Sequence, residues 1–405
     1  MRILFANDKR GLFGGVEQCV ADSAAGLAAR GHSCHLVFRS STGRSEDRFD
    51  QGFESVQACR ELGVAPAESP GGLAEVIRRV RPDVVYVHKV ESIAPVMALV
   101  PRSSVVVRMV HDHDLICPRR HKYDAFTGLT CQRPAGLGCM LDLAFLERSA
   151  GSPTGVGFVN VAERLRELAR HRSGPRLFVA SRYMAQELIR NQCDAARIRV
   201  VPPCVDVRGL RASPPPMEPR VLFVGQLIRG KGVDLLLEAF ARLDPAYQLD
   251  IVGTGNAAPG LVEQARRLGL GSRVTFHGWV DSQRTPTYFD NARIVVVPSR
   301  WPEPFGMVGV EAMAHGRAVV AFDVGGIRDW LDHGVTGLVA PEQNVAELAS
   351  AIDRIHTVPG LAAAMGDSGR SRYEENYRYP HLVRLLEQEL EQAAACAVEL
   401  EVAVG

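Results

Sequence analysis

Two series of short apolar segments, each spaced by stretches of helical periodicity, constrain this chain more than any single motif does. In the first series, residues 3–6, 33–38, 84–88, 105–111, 177–180 and 199–201 are rich in Val, Ile, Leu and Phe and are the expected strands. Residues 16–30 carry helical spacing and stop at Gly31, where a left-handed cap is expected. In the second series, residues 221–224, 248–252, 273–277, 294–297 and 318–322 read as strands, and 232–243, 259–268, 306–315 and 344–356 as helices. Strands spaced by helices imply a parallel sheet covered on both faces. Between the series, Pro202 and Pro203, then Pro214, Pro215, Pro216 and Pro219, enclose a polar stretch unsuited to regular structure. The expected division is a first α/β domain over residues 1–205, a linker over 206–219, a second α/β domain over 220–379, and one long helix rich in Leu and Glu over 380–405. Two such domains put ligands at the carboxyl ends of their strands, in the cleft between them.

Composition narrows the role. The 405 residues, 46% hydrophobic, are enough for two buried cores. A net charge of +1 gives no overall field for holding nucleic acid. Nine cysteines without regular pairing, and a start that runs straight into an apolar strand, point to a reducing cytoplasm. No run of 18 apolar residues is present, so no bilayer span is expected, while contact with a membrane surface stays open. Only four of the 47 basic residues are lysines: Lys9, Lys89, Lys122 and Lys231. All four fall in loops expected on the ligand side.

The strongest local signal is Arg300-Trp301-Pro302-Glu303-Pro304-Phe305-Gly306-Met307-Val308-Gly309-Val310-Glu311. It follows a strand and opens a helix, so the unpaired amides of Phe305, Gly306, Met307 and Val308, with the positive helix end behind them, form an anion site. Glu303 precedes that site and Glu311 lies on the second helical turn. One carboxylate can take sugar hydroxyls and the other a ribose diol. A second cluster, Gly225-Gln226-Leu227-Ile228-Arg229-Gly230-Lys231-Gly232, again sits between a strand and a helix, where cations suit a diphosphate. Gly325-Gly326 would let a ligand approach the backbone, and turns need such pairs too. In the first domain, Gly14-Gly15 feeds a helix and His111-Asp112 ends a strand. Neither Gly11-x-x-Gly14-Gly15 nor Gly253-Thr254-Gly255 completes a dinucleotide fingerprint, which argues against nicotinamide chemistry.

Together these residues resemble a retaining glycosyltransferase of family 4, with the GT-B fold of two facing Rossmann-like domains. The resemblance covers most of the chain, through Gly14-Gly15-Val16-Glu17, His111-Asp112, Lys231-Gly232, residues 251–255 and 274–278, the Glu303/Glu311 block, Gly325-Gly326 and residues 333–337. It implies that Glu303 contacts the donor sugar, Glu311 the ribose, Lys231 the diphosphate, and the amides of Phe305 to Val308 the sugar and phosphate. Gly15 would approach the diphosphate from the other domain, His111 would lie near the reacting carbon, and the last helix would cross back onto the first domain. Gln226 stands where the family usually has Arg, so the missing cation's role passes to Arg229.

The implied reaction moves a hexose-type unit from a UDP-, GDP-, ADP- or dTDP-sugar to a hydroxyl of a small-molecule, glycan or lipid-linked acceptor, with no cofactor. The only Asp-x-Asp in a suggestive place, Asp112-His113-Asp114, follows a first-domain strand, so metal-independent transfer is expected. An epimerase acting on sugar nucleotides and an inactive nucleotide-sugar-binding subunit are the alternatives. Two further features stay open at this level. Cys117, His121, Cys131 and Cys139 offer a Cys3His zinc set within an insertion at 112–142, although the irregular spacing and the lack of a Cys-x-x-Cys favour free or buried thiols. Residues 161–176 carry five arginines on a helical stretch that suits either a membrane surface or plain solvent.

Overall fold

The structure is a computed structural model that describes residues 1–12, 14–59, 62, 72–123, 128–148, 156–207, 210, 213–281 and 283–404. Parts of the linker (208, 209, 211, 212) and of the insertion (124–127) lie outside them. The chain divides into two compact units: residues 1–120, 133–206 and 379–405, and residues 121–132 and 207–378.

Among the described residues, the first unit holds nine strands: β1 (Arg2–Arg10), β2 (Ser33–Ser41), β3 (Ser55–Ala58), β4 (Val84–Val87), β5 (Val105–Val110), β6 (Leu146–Arg148), β7 (Val156–Phe158), β8 (Arg176–Val179) and β9 (Ile198–Val200). All but β6 and β7 form one sheet of order β3-β2-β1-β4-β5-β8-β9, parallel throughout. Its helices are α1 (Gly15–Ala29), α2 (Glu46–Asp50), α3 (Leu73–Val80), α4 (Ala94–Leu99), α5 (Gly138–Leu141), α6 (Val161–Ser173) and α7 (Arg182–Arg190). The sequence pattern explains the sheet directly. β4 is Val-Val-Tyr-Val, buried at every position, as a central parallel strand covered on both faces must be. Asn160 and Ser181 start α6 and α7 by accepting from the amides of Glu163 and Met184 at 3.1 and 3.2 Å.

The second unit holds β10 (Arg220–Val224), β11 (Gln248–Val252), β12 (Val274–Gly278), β13 (Ile294–Val297), β14 (Ala318–Phe322) and β15 (Gly337–Ala340), in the parallel order β12-β11-β10-β13-β14-β15. Packed with them are α8 (Val233–Phe240), α9 (Ala258–Arg267), α10 (Thr285–Asn291), α11 (Met307–Ala314), α12 (Ile327–Trp330), α13 (Val345–Thr357) and α14 (Leu361–Asn376). Both sheets reverse strand order beside their first strand, between β1 and β4 and between β10 and β13. Doubly wound sheets open a crevice at that point, outside the carboxyl ends of the strands.

Two features concern connectivity, one in agreement with the sequence reading and one departing from it. The last helix, α15 (Tyr379–Val404), belongs with the first unit, as the resemblance implied: Arg30 and His32 bind Glu387 at 2.6 and 2.7 Å, and the Tyr379 hydroxyl donates to the Asp22 carbonyl at 2.7 Å. Residues 121–132, assigned by sequence to an insertion of the first domain, instead pack with the second unit. Thr130 donates through its amide and hydroxyl to Glu342 at 2.8 and 2.9 Å, and Gln343 donates to the Gly128 carbonyl at 2.8 Å.

Candidate active site

In the second unit the site grows from the loops that follow β10 and β13. The carbonyl of Gly230 accepts from the amides of Arg300 and Trp301 at 3.0 and 3.2 Å. Gly232, at φ +67°, lies so near the Pro298 carbonyl that a Cβ would stand 1.9 Å from its oxygen. These contacts clamp the turn bearing Lys231 against the loop bearing Glu303. Lys231 Nζ then donates to Glu303 Oε1 at 2.6 Å, Ser299 Oγ donates to the same oxygen at 2.5 Å, and the ammonium lies 5.3 Å from the centre of the Trp301 ring. Burial alone would raise the Glu303 pKa, but the Lys231 charge and these hydrogen bonds outweigh it and hold the carboxyl below its ordinary range. A carboxylate kept ionised and fixed in direction is suited to accepting from sugar hydroxyls.

The Glu303 backbone is seated by the glycine pair after β14. Gly326 donates to the Glu303 carbonyl at 2.7 Å, and a Cβ on Gly325, at φ +58°, would stand 2.3 Å from that carbonyl oxygen. The expectation that this pair makes room for a ligand is therefore corrected: at Gly325 the room is filled by the chain itself. Gly253 has a similar explanation, since a Cβ there would meet the Gly225 carbonyl at 1.8 Å where β10 and β11 end.

Helix α11 opens at the residues where the sequence predicts an anion site. Gly306 precedes it at φ +91°, Gly309 makes the first amide bond back to Gly306 at 3.0 Å, and the amides of Met307 and Val308 find no acceptor among the described residues. Trp330 fixes the entry by donating from Nε1 to the Phe305 carbonyl at 2.5 Å. Glu311 is half-buried on the same helix, its carboxylate has no partner among the described residues, and burial pushes it up to about 7. Gln226 and Arg229 are exposed, and their side chains are likewise unpartnered among the described residues. The structure thus gathers Gln226, Arg229, Lys231, Gly253, Glu303, Phe305–Val308 and Glu311 at one end of one sheet. Ser299 and Trp301 join them, and their only signal in the sequence was proximity to the Glu303 block.

In the first unit, Gly14 caps α1, its amide donating to Glu17 Oε2 at 3.1 Å, and Gly15 is the exposed first residue of that helix. His111 and Asp112 follow β5, beside His88 and Lys89, which follow β4. Lys89 binds Asp112 directly and lies 3.7 Å from Asp114. Burial would raise both carboxyls; the Lys89 ammonium pulls Asp112 below its ordinary value, whereas the charge of Asp112 adds to the rise at Asp114. His88 Nδ1 and His111 Nε2 are 2.8 Å apart. Sequence reading had passed over His88 as the end of a strand.

The four zinc candidates are divided: Cys117 and Cys139 belong to the first unit, His121 and Cys131 to the second. The single group of three His, Cys, Asp or Glu ligand atoms within 4.8 Å of one another among the described residues is His32, Glu387 and Glu391. A Cys3His centre therefore belongs to neither unit. On α6, Glu163 pairs with Arg166 and Arg170, Glu167 pairs with Arg170, and His171 is buried, its pKa lowered to about 4 by that burial. Two of the five arginines expected there, Arg166 and Arg170, are thus paired with carboxylates of the same helix.

A doubly wound sheet with a cation, an ordered carboxylate and an open helix N-terminus at its switch point defines a nucleotide-sugar type of site. Comparison with known proteins gives the family. Residues 13–208 match "Glycosyltransferase Family 4" and residues 211–372 match "Glycosyl transferases group 1", which leaves out only the first twelve residues, two at the junction and the last thirty-three. The chain belongs to this glycosyltransferase family, with the GT-B fold. It is 35% identical over 153 residues to an alpha-D-kanosaminyltransferase of Streptomyces kanamyceticus, covering 37% of this chain and 39% of that one. Over 218 residues it is 34% identical to a D-inositol 3-phosphate glycosyltransferase of Rhodococcus jostii, covering 49% and 48%. Each match spans less than half of the relative's length. HepE of Anabaena, solved with UDP-glucose, superposes with a TM-score of 0.72 at 20% identity over 97% of this chain and all of that one.

Proposed function

We propose that this protein transfers a hexose-type sugar from a nucleoside diphosphate sugar to an acceptor hydroxyl, with retention and without a divalent metal. The observation that carries the reading is the Lys231–Glu303 pair set beside the open amides of Met307 and Val308. Leaving of the diphosphate builds negative charge where the ammonium, the Arg229 guanidinium and the helix end converge, and builds positive charge on the sugar held by Glu303. Glu311 receives the ribose diol. Metal independence is supported by Lys89, whose ammonium already occupies the carboxylates of Asp112 and Asp114. The UDP-glucose of HepE makes uridine the first of the four nucleotides to test, and the D-inositol 3-phosphate named for the Rhodococcus relative favours a small-molecule acceptor. The test is a thermal-shift screen of UDP, GDP, ADP and dTDP in EDTA, followed by turnover of the matching sugar nucleotides. One stabilising nucleotide and EDTA-resistant turnover are expected; turnover that needs an added divalent ion removes the metal-independent assignment.

A second contact, with a membrane surface, is favoured by a different observation than the basic helix. No helix among the described residues is long and apolar enough to cross a membrane, yet Leu137, Leu141 and Phe158 are 84%, 82% and 80% exposed around one hairpin. Phe158 pairs with Leu146, and Leu146 donates to the Leu143 carbonyl, which joins these side chains in one surface region. Sedimentation with anionic vesicles is expected for the unaltered protein and to be lost in Leu141→Asp/Phe158→Asp.

A further inference from the structure

His88 and His111 end adjacent parallel strands, and their rings stack at 5.1 Å with Nδ1 of the first 2.8 Å from Nε2 of the second. His88 is fully buried, stacked on Phe5 at 5.6 Å and against Tyr86 at 4.3 Å, so its ring has one orientation. Its other nitrogen, Nε2, is buried and has no partner among the described residues. On His111, by contrast, Nδ1 has no partner among the described residues and belongs to a half-buried ring.

Both rings are neutral over the physiological range. Burial lowers both, helped at His111 by Lys89 and Arg108 and opposed there by Asp114; His111 falls to about 3, and at His88 the neighbouring His111 and Arg108 act in the same direction as burial. Two neutral imidazoles carry one proton each, and one proton must lie in the 2.8 Å contact. If His111 donated, the His88 proton would sit on Nε2, a buried N–H with no acceptor. The neighbourhood is already short of acceptors, since Nε and Nη1 of the buried Arg108 also have none. An orphaned buried donor costs its full desolvation. If His88 donates instead, Nε2 is bare and no further donor is stranded.

We infer that His88 is a positioning residue that fixes His111 in the tautomer with its proton on Nδ1, so that His111 offers its site a permanent hydrogen-bond donor and has no free lone pair. His111 is then unable to take the acceptor's proton, and in the transferase reading, on which this role in catalysis rests, it donates to an oxygen of the sugar, while the bond from the sugar carbon to the diphosphate breaks, the bond to the acceptor oxygen forms, and the acceptor's proton passes to an oxygen of the departing diphosphate.

The test begins with protein labelled with ¹⁵N-histidine, unliganded, its peaks assigned through the His88→Asn and His111→Asn variants. Long-range ¹H–¹⁵N correlations are expected to show Nδ1 protonated and Nε2 bare on both residues. A proton on Nε2 of His111 overturns the inference. Turnover is then compared in two variants at the same thermal stability. His88→Leu, which removes the donor, is expected to lower kcat about tenfold, one hydrogen bond's effect, with the donor KM changed less than threefold, and His88→Asn, which returns an N–H near the same place, to restore most of the loss. Equal loss in both variants also overturns it. Should His88→Leu fail to fold, the spectrum of the unaltered protein still decides. The expected tautomer without turnover of any sugar nucleotide would leave the histidine pairing standing and remove the transferase reading.

Discussion

Lys231 and Glu303 hold each other in the unliganded site, so neither is a spare surface charge. In the proposed reaction, replacing Lys231 by Ala removes a cation from the leaving diphosphate, and in the unliganded chain it leaves the buried Glu303 carboxylate without its counter-ion. About a hundred- to thousandfold loss of kcat is expected, the scale of removing one transition-state contact. Glu303→Gln, nearly the same shape, should cost as much in turnover while shifting the melting temperature far less. Near-normal turnover of either variant would remove the pair from the mechanism. Glu311 gives a pH dependence. Its pKa in the unliganded chain, about 7, lies above the unfolded value of 4.5, so this group favours folding fully below 4.5 and the contribution is lost as pH rises through 7. A ribose diol needs the ionised form, and a nucleotide sugar has no group of its own titrating there. Its affinity should therefore weaken about tenfold from pH 8 to pH 6, one pK unit's effect. Glu311→Gln should flatten that slope in calorimetric titrations. At this scale the positions were legible: type and spacing singled out Lys231, Glu303 and Glu311, while the roles given them are what the family resemblance implies. Trp301 and His88 were not, because Lys231 and His111, which they meet, lie on other loops or strand ends, and Ser299, four residues before Glu303, meets it only through the fold of their loop.

Elements were legible in proportion to how locally they are determined. Strands such as Ile294–Val297 and Ala318–Phe322 are continuous β-branched or apolar runs, and their limits agree with the sequence reading, as do those of Gln248–Val252, whose run is interrupted by Asp250. β3, β15 and the β6–β7 hairpin were missed, being three or four residues long and stabilised by pairing rather than by pattern. The glycines show a related limit. A Gly-Gly pair signals either ligand approach or chain approach, and only the fold reveals that Gly325 receives the Glu303 carbonyl. Gly325→Ala should therefore act through the second unit's structure. The left-handed φ and the 2.3 Å contact are expected to cost at least about 2 kcal/mol, read as a melting temperature lowered by roughly 4–8 °C, with turnover lost through a displaced Glu303. Unchanged stability would mean that the loop relaxes freely and that Glu303 owes its place to Lys231 alone.

At the scale of the whole chain, the sequence separated the two α/β series, and the join it misplaced is that of residues 121–132. The linker prolines mark where regular structure stops, whereas the destination of residues 121–132 depends on Glu342 and Gln343, more than two hundred residues away. The long return of α15 was legible only through the family resemblance, since amphipathic spacing says that a helix buries one face without saying against what. Here that face includes Leu386, Leu390 and Ala393, all almost fully buried, and Val383 lies where a Cβ on Gly26 of α1 would clash at 2.5 Å. The chain therefore leaves the first unit, builds the second and returns to complete the first. It follows that the two units should be separable in stability. Leu386→Ala with Leu390→Ala should cost about 2–5 kcal/mol per site in the first unit, as buried leucines do elsewhere. In calorimetry the first unit's transition should move down, while the stabilisation that a nucleotide gives the second unit persists. A uniform downward shift of a single transition, with the nucleotide effect abolished, would show instead that the second unit cannot hold its fold once α15 is loosened.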